Sequence, residues 1–581
     1  MSTLRLRRAL ATVLIPFFWL PFSARAANQP LSLHDKVAQL VVMSIYGEPF
    51  NVRSRQFKKY QHLIQDVHVG GVIVTGHSVH GAIRGAEPYA FAALINRLQS
   101  LSPVPLLVAA DFERGASMRI ASTTAWPYNM AFSAARDLDG VRYQGAETAR
   151  EARAIGVNWL FAPVADVNNN PDNPIINIRS YSENAELVAS YVSAYIEGAH
   201  SAVKDPVLVT AKHFPGHGDT IEDSHMQLAR LNADRNRLDK VELLPFRAAI
   251  GANVDAIMTA HMAVPALEPE NIPATVSQKI LTGLLRDEMH YKGLIVTDAM
   301  EMEGLMQMFD TGEASVRALL AGADVLLMPR DAEAAIAGVL AAVRSGRLSP
   351  KRIDESLARV LAAKARLGLF RNRYTDYKSI AHVLDAPEDE ERAQRVADHA
   401  VTLIKDNQDL LPLRSPDKTC LIALTESRYG REGWRLMEEA QKRAPKMAFS
   451  MVDPKMSKAD LDDVARSTGV CTEIVVAAYV SVSAYRGDVA LPGDYAGFLA
   501  ALLAGKTPVL LAALGSPYLV HSFPQASAFL TTLSTTATSE AALIRALFGE
   551  IPITGRLPVT IPGIAKFGDG IQLPAVRTTV Q

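Results

Sequence analysis

The chain has 581 residues, enough for an export signal followed by two or three domains. Lys and Arg total 60 against 61 Asp and Glu, a net charge of -1, so nothing in the charge points to nucleic acid or an anionic membrane surface as partner. Two cysteines exclude a disulfide scaffold, and 49% hydrophobic with 21% charged residues is the balance of a folded globular protein, not a disordered one.

In chain order, the first feature is a secretory signal over residues 1–26. Arg5, Arg7 and Arg8 precede an apolar run from Ala9 to Phe22, which leads to Ala24-Arg25-Ala26. A positive stretch, a short apolar core and a small-x-small site predict a cleavable signal, with an uncleaved anchor as the alternative. The run is too short, and too broken by Pro16 and Pro21, for a membrane span. The mature chain is expected outside the cytoplasm, periplasmic or secreted, with no span after cleavage.

Residues 27–371 repeat one pattern. Short β-branched apolar runs at 40–45, 71–75, 106–110, 159–164, 207–211, 256–259, 294–297 and 325–328 alternate with stretches of helical periodicity. Continuous apolar strands alternating with helices imply a parallel sheet covered on both faces. Eight such units predict an α/β fold of the closed (β/α)8, TIM-barrel type. The alternative is an open doubly wound sheet, although no G-x-G-x-x-G follows the first run. After Leu369 the sequence turns polar, which places a linker at 372–395. A second, smaller α/β domain follows over 396–581, with apolar runs at 420–424, 447–452, 474–480, 509–514 and 528–530. Cys420 and Cys471 lie at or just before two of these runs. They can pair in an exported protein, but spacing alone does not join them.

In a barrel of this kind the chemistry sits at the C-terminal ends of the strands. Asp111 closes the third run, Asp166 the fourth, Lys212 and His213 the fifth, His261 the sixth and Asp298 the seventh. Asp and His also favour strand-to-loop turns and helix caps for local reasons. Five successive runs ending this way favour convergence on one mouth instead.

The loop after the fifth run, KHFPGHGDTIEDSH at residues 212–225, holds three of the chain's 14 His. Gly216 and Gly218 suggest a mobile lid. Metal binding would use His213, His217, His225 or His261 with a carboxylate, but the spacing fits no metal motif such as H-E-x-x-H. Acid–base chemistry would use Asp223 to orient His225 and stabilise its imidazolium form. Asp298 ends the apolar strand Leu294-Ile295-Val296-Thr297. A carboxylate held there suits the nucleophile of a retaining glycosidase, which also needs a proton donor for the leaving oxygen.

These segments resemble glycoside hydrolase family 3, and within it the β-N-acetylhexosaminidase branch. KHFPGHGDTIEDSH is similar to that branch's signature loop, and GLIVTDAMEM (residues 293–302) resembles the family's nucleophile strand. The resemblance implies Asp298 as nucleophile and His225 with Asp223 as the acid/base pair. It also implies sugar binding by Asp111 in DFERG, by Arg179 in FAPVADVNNNPDNPIINIRSYS, and by Lys212 and His213, and a barrel-mouth place for His261 in TAHM; His261 and the strand-end Asp166 complete the expected substrate-binding set. AVTLIKDNQDLLPL (residues 400–413) and ITGRLPVTIP (residues 553–562) resemble the start and end of the family's second domain. Implied are a carbohydrate substrate bearing N-acetylglucosamine, from peptidoglycan or chitin-type fragments, and no cofactor or metal. The chain departs from the branch in carrying Phe112, Glu113, Arg114 and Gly115 where Gln-Glu-Gly-Gly is usual, and Tyr181-Ser182 after Arg179-Ser180. The competing readings are a family 3 β-glucosidase, a phosphorolytic relative, and a catalytically silent cell-wall protein that binds sugar.

Overall fold

The computed structural model describes residues 31–48, 51–79, 82–204 and 206–576; the expected signal at 1–26 lies outside them. Eight parallel strands form the first domain: β1 Val41–Tyr46, β2 Gly71–Thr75, β3 Leu107–Ala110, β4 Trp159–Leu160, β5 Leu208–Phe214, β6 Ala256–Thr259, β7 Leu294–Val296 and β8 Leu326–Leu327. Neighbours in sequence are neighbours in space. The ring closes because β8 pairs with β1, Val41 opposite Leu326, while Val296 of β7 bridges to Val325 and the Thr297 N–H donates to the Val325 carbonyl at 3.0 Å. This is the closed barrel rather than the open sheet.

The strands read as unbroken apolar runs because both of their faces are buried, one in the barrel interior and one under helices. Helices Leu138–Ala154 and Ala185–Ser201 cover part of the outside, started by the side chains of Asp137 and Asn184, which accept backbone N–H groups of the first turn. The two helices pack closely. A Cβ at Gly198 would lie 1.9 Å from the Arg142 carbonyl, so only glycine fits.

The stretch expected as a linker is not irregular. It contains helix Tyr377–Val383 and most of helix Pro387–Ala400. The second is amphipathic, with Ala393, Val396, Ala397 and Ala400 buried and a charged outer face, and that face made the segment read as polar. This helix packs against Asn129–Ala135 of the barrel and Ala537–Leu547 of the second domain.

The second domain is a six-stranded sheet. Its strands are β9 Thr402–Asp406, β10 Thr419–Leu424, β11 Ala448–Val452, β12 Glu473–Val480, β13 Val509–Gly515 and β14 Ala528–Thr531, in the order β9-β14-β13-β12-β10-β11. All pairs are parallel except β9 with β14. The edge strand β9 went unread in the sequence. Separate apolar cores lie on the sheet's two faces. Cys420 and Cys471 are joined, with Cα atoms 5.8 Å apart.

The domains are fastened where helix Asn129–Ala135 and the segment after β4 meet the second domain. Met130, Ala131, Ala134 and Ile178 pack with Ala400, Leu533 and Val559. Around them the Ser182 hydroxyl donates to the Pro558 carbonyl at 2.6 Å, Glu183 accepts the Thr560 N–H and hydroxyl at 2.6 and 2.7 Å, and Asn168 donates to the Tyr518 hydroxyl at 3.0 Å. Among the described residues no helix is long and apolar enough to cross a membrane.

Candidate active site

At the C-terminal ends of the barrel strands lies a cavity of about 530 Å³, lined by Asp111, Glu113, Arg179, Lys212, His213, His225 and Asp298. Its floor is a chain of charges. The Lys212 ammonium, at the end of β5, lies 2.8 Å from both Asp111 Oδ1 and Glu113 Oε1. Arg179 grips the other side of Glu113 with Nε at 2.9 Å and Nη2 at 2.7 Å, and its Nη1 donates to the Ile175 carbonyl at 2.8 Å. Burial acts to raise the Glu113 carboxyl, but the two cations outweigh it and hold the group well below the usual carboxylate range. A buried carboxylate between two cations fixes both of them in place.

His213, beside Lys212, is aimed from below. Its Nδ1 lies 2.7 Å from Asp166 Oδ2, and Asp166 also accepts the His217 backbone N–H at 2.7 Å. Asp166 is fully buried and absent from the cavity lining. It orients the imidazole from beneath the cavity, a correction to its expected place among the substrate-binding residues at the mouth. The reason is depth: the β5 loop folds over Asp166, which takes the His217 N–H from it and is closed off from the cavity.

The β5 loop carries the second cluster. His225 Nδ1 lies 2.7 Å from Asp223 Oδ1, which also accepts the His225 backbone N–H at 2.9 Å. The ring's other nitrogen, Nε2, is left for the cavity. Burial raises the Asp223 carboxyl, but these bonds from His225 outweigh it and the group sits below its ordinary value. The loop is tied down, contrary to the expected lid. His217 bridges Thr220 Oγ1 at 2.7 Å and Ser224 Oγ at 2.9 Å, and the Ser224 and His225 carbonyls accept the Gly304 and Glu303 N–H groups, both at 3.3 Å. Gly218 serves close approach rather than mobility, since a Cβ there would lie 1.7 Å from the Val167 carbonyl.

Asp298 stands two residues beyond β7, its Oδ1 accepting the Ala299 N–H at 2.8 Å. Burial pushes its carboxyl up, but the imidazoles of His213, His261 and His225 and the Ala299 N–H together hold it below its ordinary value. An ionised carboxylate facing the cavity is a ready nucleophile. His261 lies behind it, wholly buried, with Nδ1 2.8 Å from Thr275 Oγ1 and Nε2 3.0 Å from the Ala299 carbonyl. It supports the turn that carries Asp298 and, like Asp166, does not line the cavity.

Of the nine expected site residues, six line one cavity, and a seventh, Asp223, lies directly behind His225. Glu113, which the sequence marks only as part of a departure from the family pattern, joins the site, and an acid two residues after Asp111 in a strand-end segment is a usable signal for it. Nothing in the sequence pointed to the second domain, which completes the wall with Val482, Ser483, Ala484 and Tyr485. Among the described residues no group of three or more His, Cys, Asp or Glu side chains is placed to hold a metal ion.

A family model described as the glycosyl hydrolase family 3 N-terminal domain matches residues 32–363. A β-N-acetylglucosaminidase/β-glucosidase of Cellulomonas fimi is 34% identical over 361 residues, which is 61% of this chain and 62% of that protein. β-Hexosaminidase A of Pseudoalteromonas piscicida is 31% identical over 450 residues, 72% of either chain. The solved structure of a glycoside hydrolase family 3 β-N-acetylglucosaminidase from Paenibacillus sp. str. FPU-7 superposes with a TM-score of 0.79 at 33% identity, covering 92% of this chain and 99% of that one. Fold, strand-end residues and these likenesses agree: the chain belongs to glycoside hydrolase family 3.

Proposed function

We propose that the chain is a retaining β-N-acetylhexosaminidase that removes terminal β-linked N-acetylglucosamine from peptidoglycan or chitin-type fragments, outside the cytoplasm. The observation that carries the reading is that Asp298 from the β7 end and His225 from the β5 loop line one cavity, beside the cationic and acidic floor of Asp111, Glu113, Arg179 and Lys212. The export step rests on the signal-like residues 1–26.

In the first step an Asp298 oxygen attacks the anomeric carbon and the glycosidic C–O bond breaks, its electron pair going to the leaving oxygen. His225 Nε2 gives that oxygen its proton, while Asp223 stabilises the cationic ring. In the second step His225 Nε2 takes a proton from water, which attacks the glycosyl ester and releases Asp298. Asp111, Arg179 and Lys212 hold the sugar by directional bonds, with His213 steadied by Asp166.

The test compares the purified mature protein on aryl β-N-acetylglucosaminides and aryl β-glucosides. The proposal expects the first to be cleaved far better, and Asp298→Ala to abolish that cleavage. Preference for the glucoside would favour the β-glucosidase reading, and full turnover by Asp298→Ala would remove the mechanism.

A further inference from the structure

We infer that Tyr485, carried by the second domain, is a positioning residue for the His225–Asp223 pair. The inference rests on the reading of that pair as the proton shuttle.

Strand β12 ends at Val480, and the chain then runs from the second domain to the barrel cavity. The crossing is held at both ends by one side chain. Glu426, two residues past the end of β10, accepts the Ser481 N–H at 3.0 Å and the Ser481 hydroxyl, and on the far side meets Arg486 Nη1 at 2.6 Å. The segment between these anchors, residues 482–485, is the one that lines the cavity.

Tyr485 ends that segment at φ 65°. Backbone of this kind is normal for glycine and rare for a bulky side chain. What the conformation accomplishes is specific. The Tyr485 N–H donates to Asp223 Oδ2 at 3.0 Å, and the phenol ring lies edge-on to the His225 imidazole, centroids 5.2 Å apart at 65°. Both oxygens of Asp223 are then occupied, Oδ1 by His225 and Oδ2 by Tyr485. The carboxylate has no free rotation left, and the imidazole it aims is flanked by the ring. A glycine would relieve the backbone but surrender the ring contact, which is a physical reason for an aromatic residue at a glycine-like position.

The rest of the interface makes this contact dependable. The bonds of Ser182, Glu183 and Asn168 to the second domain fix the docking from which the loop is hung. An aim held from two domains sharpens proton transfer, whose rate falls steeply with misplacement of the group.

The experiment measures kcat/KM for the full mature enzyme across a series of aryl and alkyl β-N-acetylglucosaminides, from activated to poor leaving groups, together with Tm. Variants are Tyr485→Ala, Tyr485→Gly, Tyr485→Phe and, as reference, His225→Ala. Tyr485→Ala and Tyr485→Gly are expected to lose roughly tenfold on the poorest leaving groups and little on the most activated, a partial version of the loss that removing an acid catalyst causes. Tyr485→Gly should keep or raise Tm, which separates the loss from misfolding. Tyr485→Phe, which retains the ring, should restore the wild-type slope. An equal loss across all leaving groups would make Tyr485 a binding platform and overturn the inference, as would no loss at all. If His225→Ala shows the steep leaving-group dependence and Tyr485→Ala does not, only this inference fails. If His225→Ala shows none, the acid/base reading fails and takes the inference with it.

Discussion

His225 Nδ1 and its own backbone N–H converge on a single oxygen of Asp223, at 2.7 and 2.9 Å. A carboxylate that binds both ends of one residue fixes the ring's orientation and its tautomer together, leaving Nε2 for the substrate. Asp223→Asn should preserve much of the shape but lose the charge that stabilises the imidazolium, and its amide will present a donor to one of two groups that already donate. The expected outcome is a loss of about 10²-fold in kcat/KM on substrates with poor leaving groups, with aryl substrates less affected. Steady-state kinetics on matched substrates checks it.

Glu113 is the hub of the cavity floor. Replacing it by Ala leaves Arg179 and Lys212, with side chains 15% and 3% exposed, without the carboxylate they share. Breaking one partner of a buried ion pair costs about 3–5 kcal/mol, so Glu113→Ala should lower unfolding stability by an amount of that order and raise KM. Denaturant melts and kinetics measure the two effects separately. Unchanged stability would mean that the cations find another partner.

His217 supplies a pH dependence. Burial pulls its imidazole down to about 4, so the ring is neutral where it bridges Thr220 and Ser224. The folded pKa lies below the unfolded one, so the unfolded chain takes up the proton first as pH falls. Stability from this group is present above the unfolded value of about 6.5 and is lost as pH drops towards 4. Wild-type Tm should therefore fall more steeply than that of His217→Gln between those limits, measured by calorimetry in a buffer series.

The Cys420–Cys471 bridge closes a loop with a sequence separation of 51. A loop of that length corresponds to about 4 kcal/mol in the chain-entropy model. Cys420→Ser with Cys471→Ser should destabilise the second domain by roughly 2–4 kcal/mol while leaving the barrel cavity intact, because neither residue lines it. Activity retained at low temperature and lost earlier on heating is the expected pattern.

Much of this was legible in the sequence because the relevant signals are local. Strands buried on both faces read as apolar runs, and Asp298, Lys212 and His213 stand at strand ends where the barrel rule directs attention. What was not legible depends on depth or on another domain. Asp166 and His261 share the strand-end position of the true lining residues, and only packing shows them one layer below the cavity. Tyr485 lies 262 residues from Asp223, in a polar loop without periodicity. The disulfide depends on the register that sets Cys420 opposite Ile474, close to Cys471.

The central claim is that Asp298 forms a covalent bond to the sugar which His225 then helps water to break. The direct measurement uses His225→Ala with an activated aryl β-N-acetylglucosaminide, rapid quenching, and mass spectrometry of the peptide containing residues 293–302. A burst of one aryl alcohol per active site, with one N-acetylhexosamine attached at Asp298, is the predicted result. No burst with an unlabelled peptide, or a sugar attached to a different side chain, would contradict it.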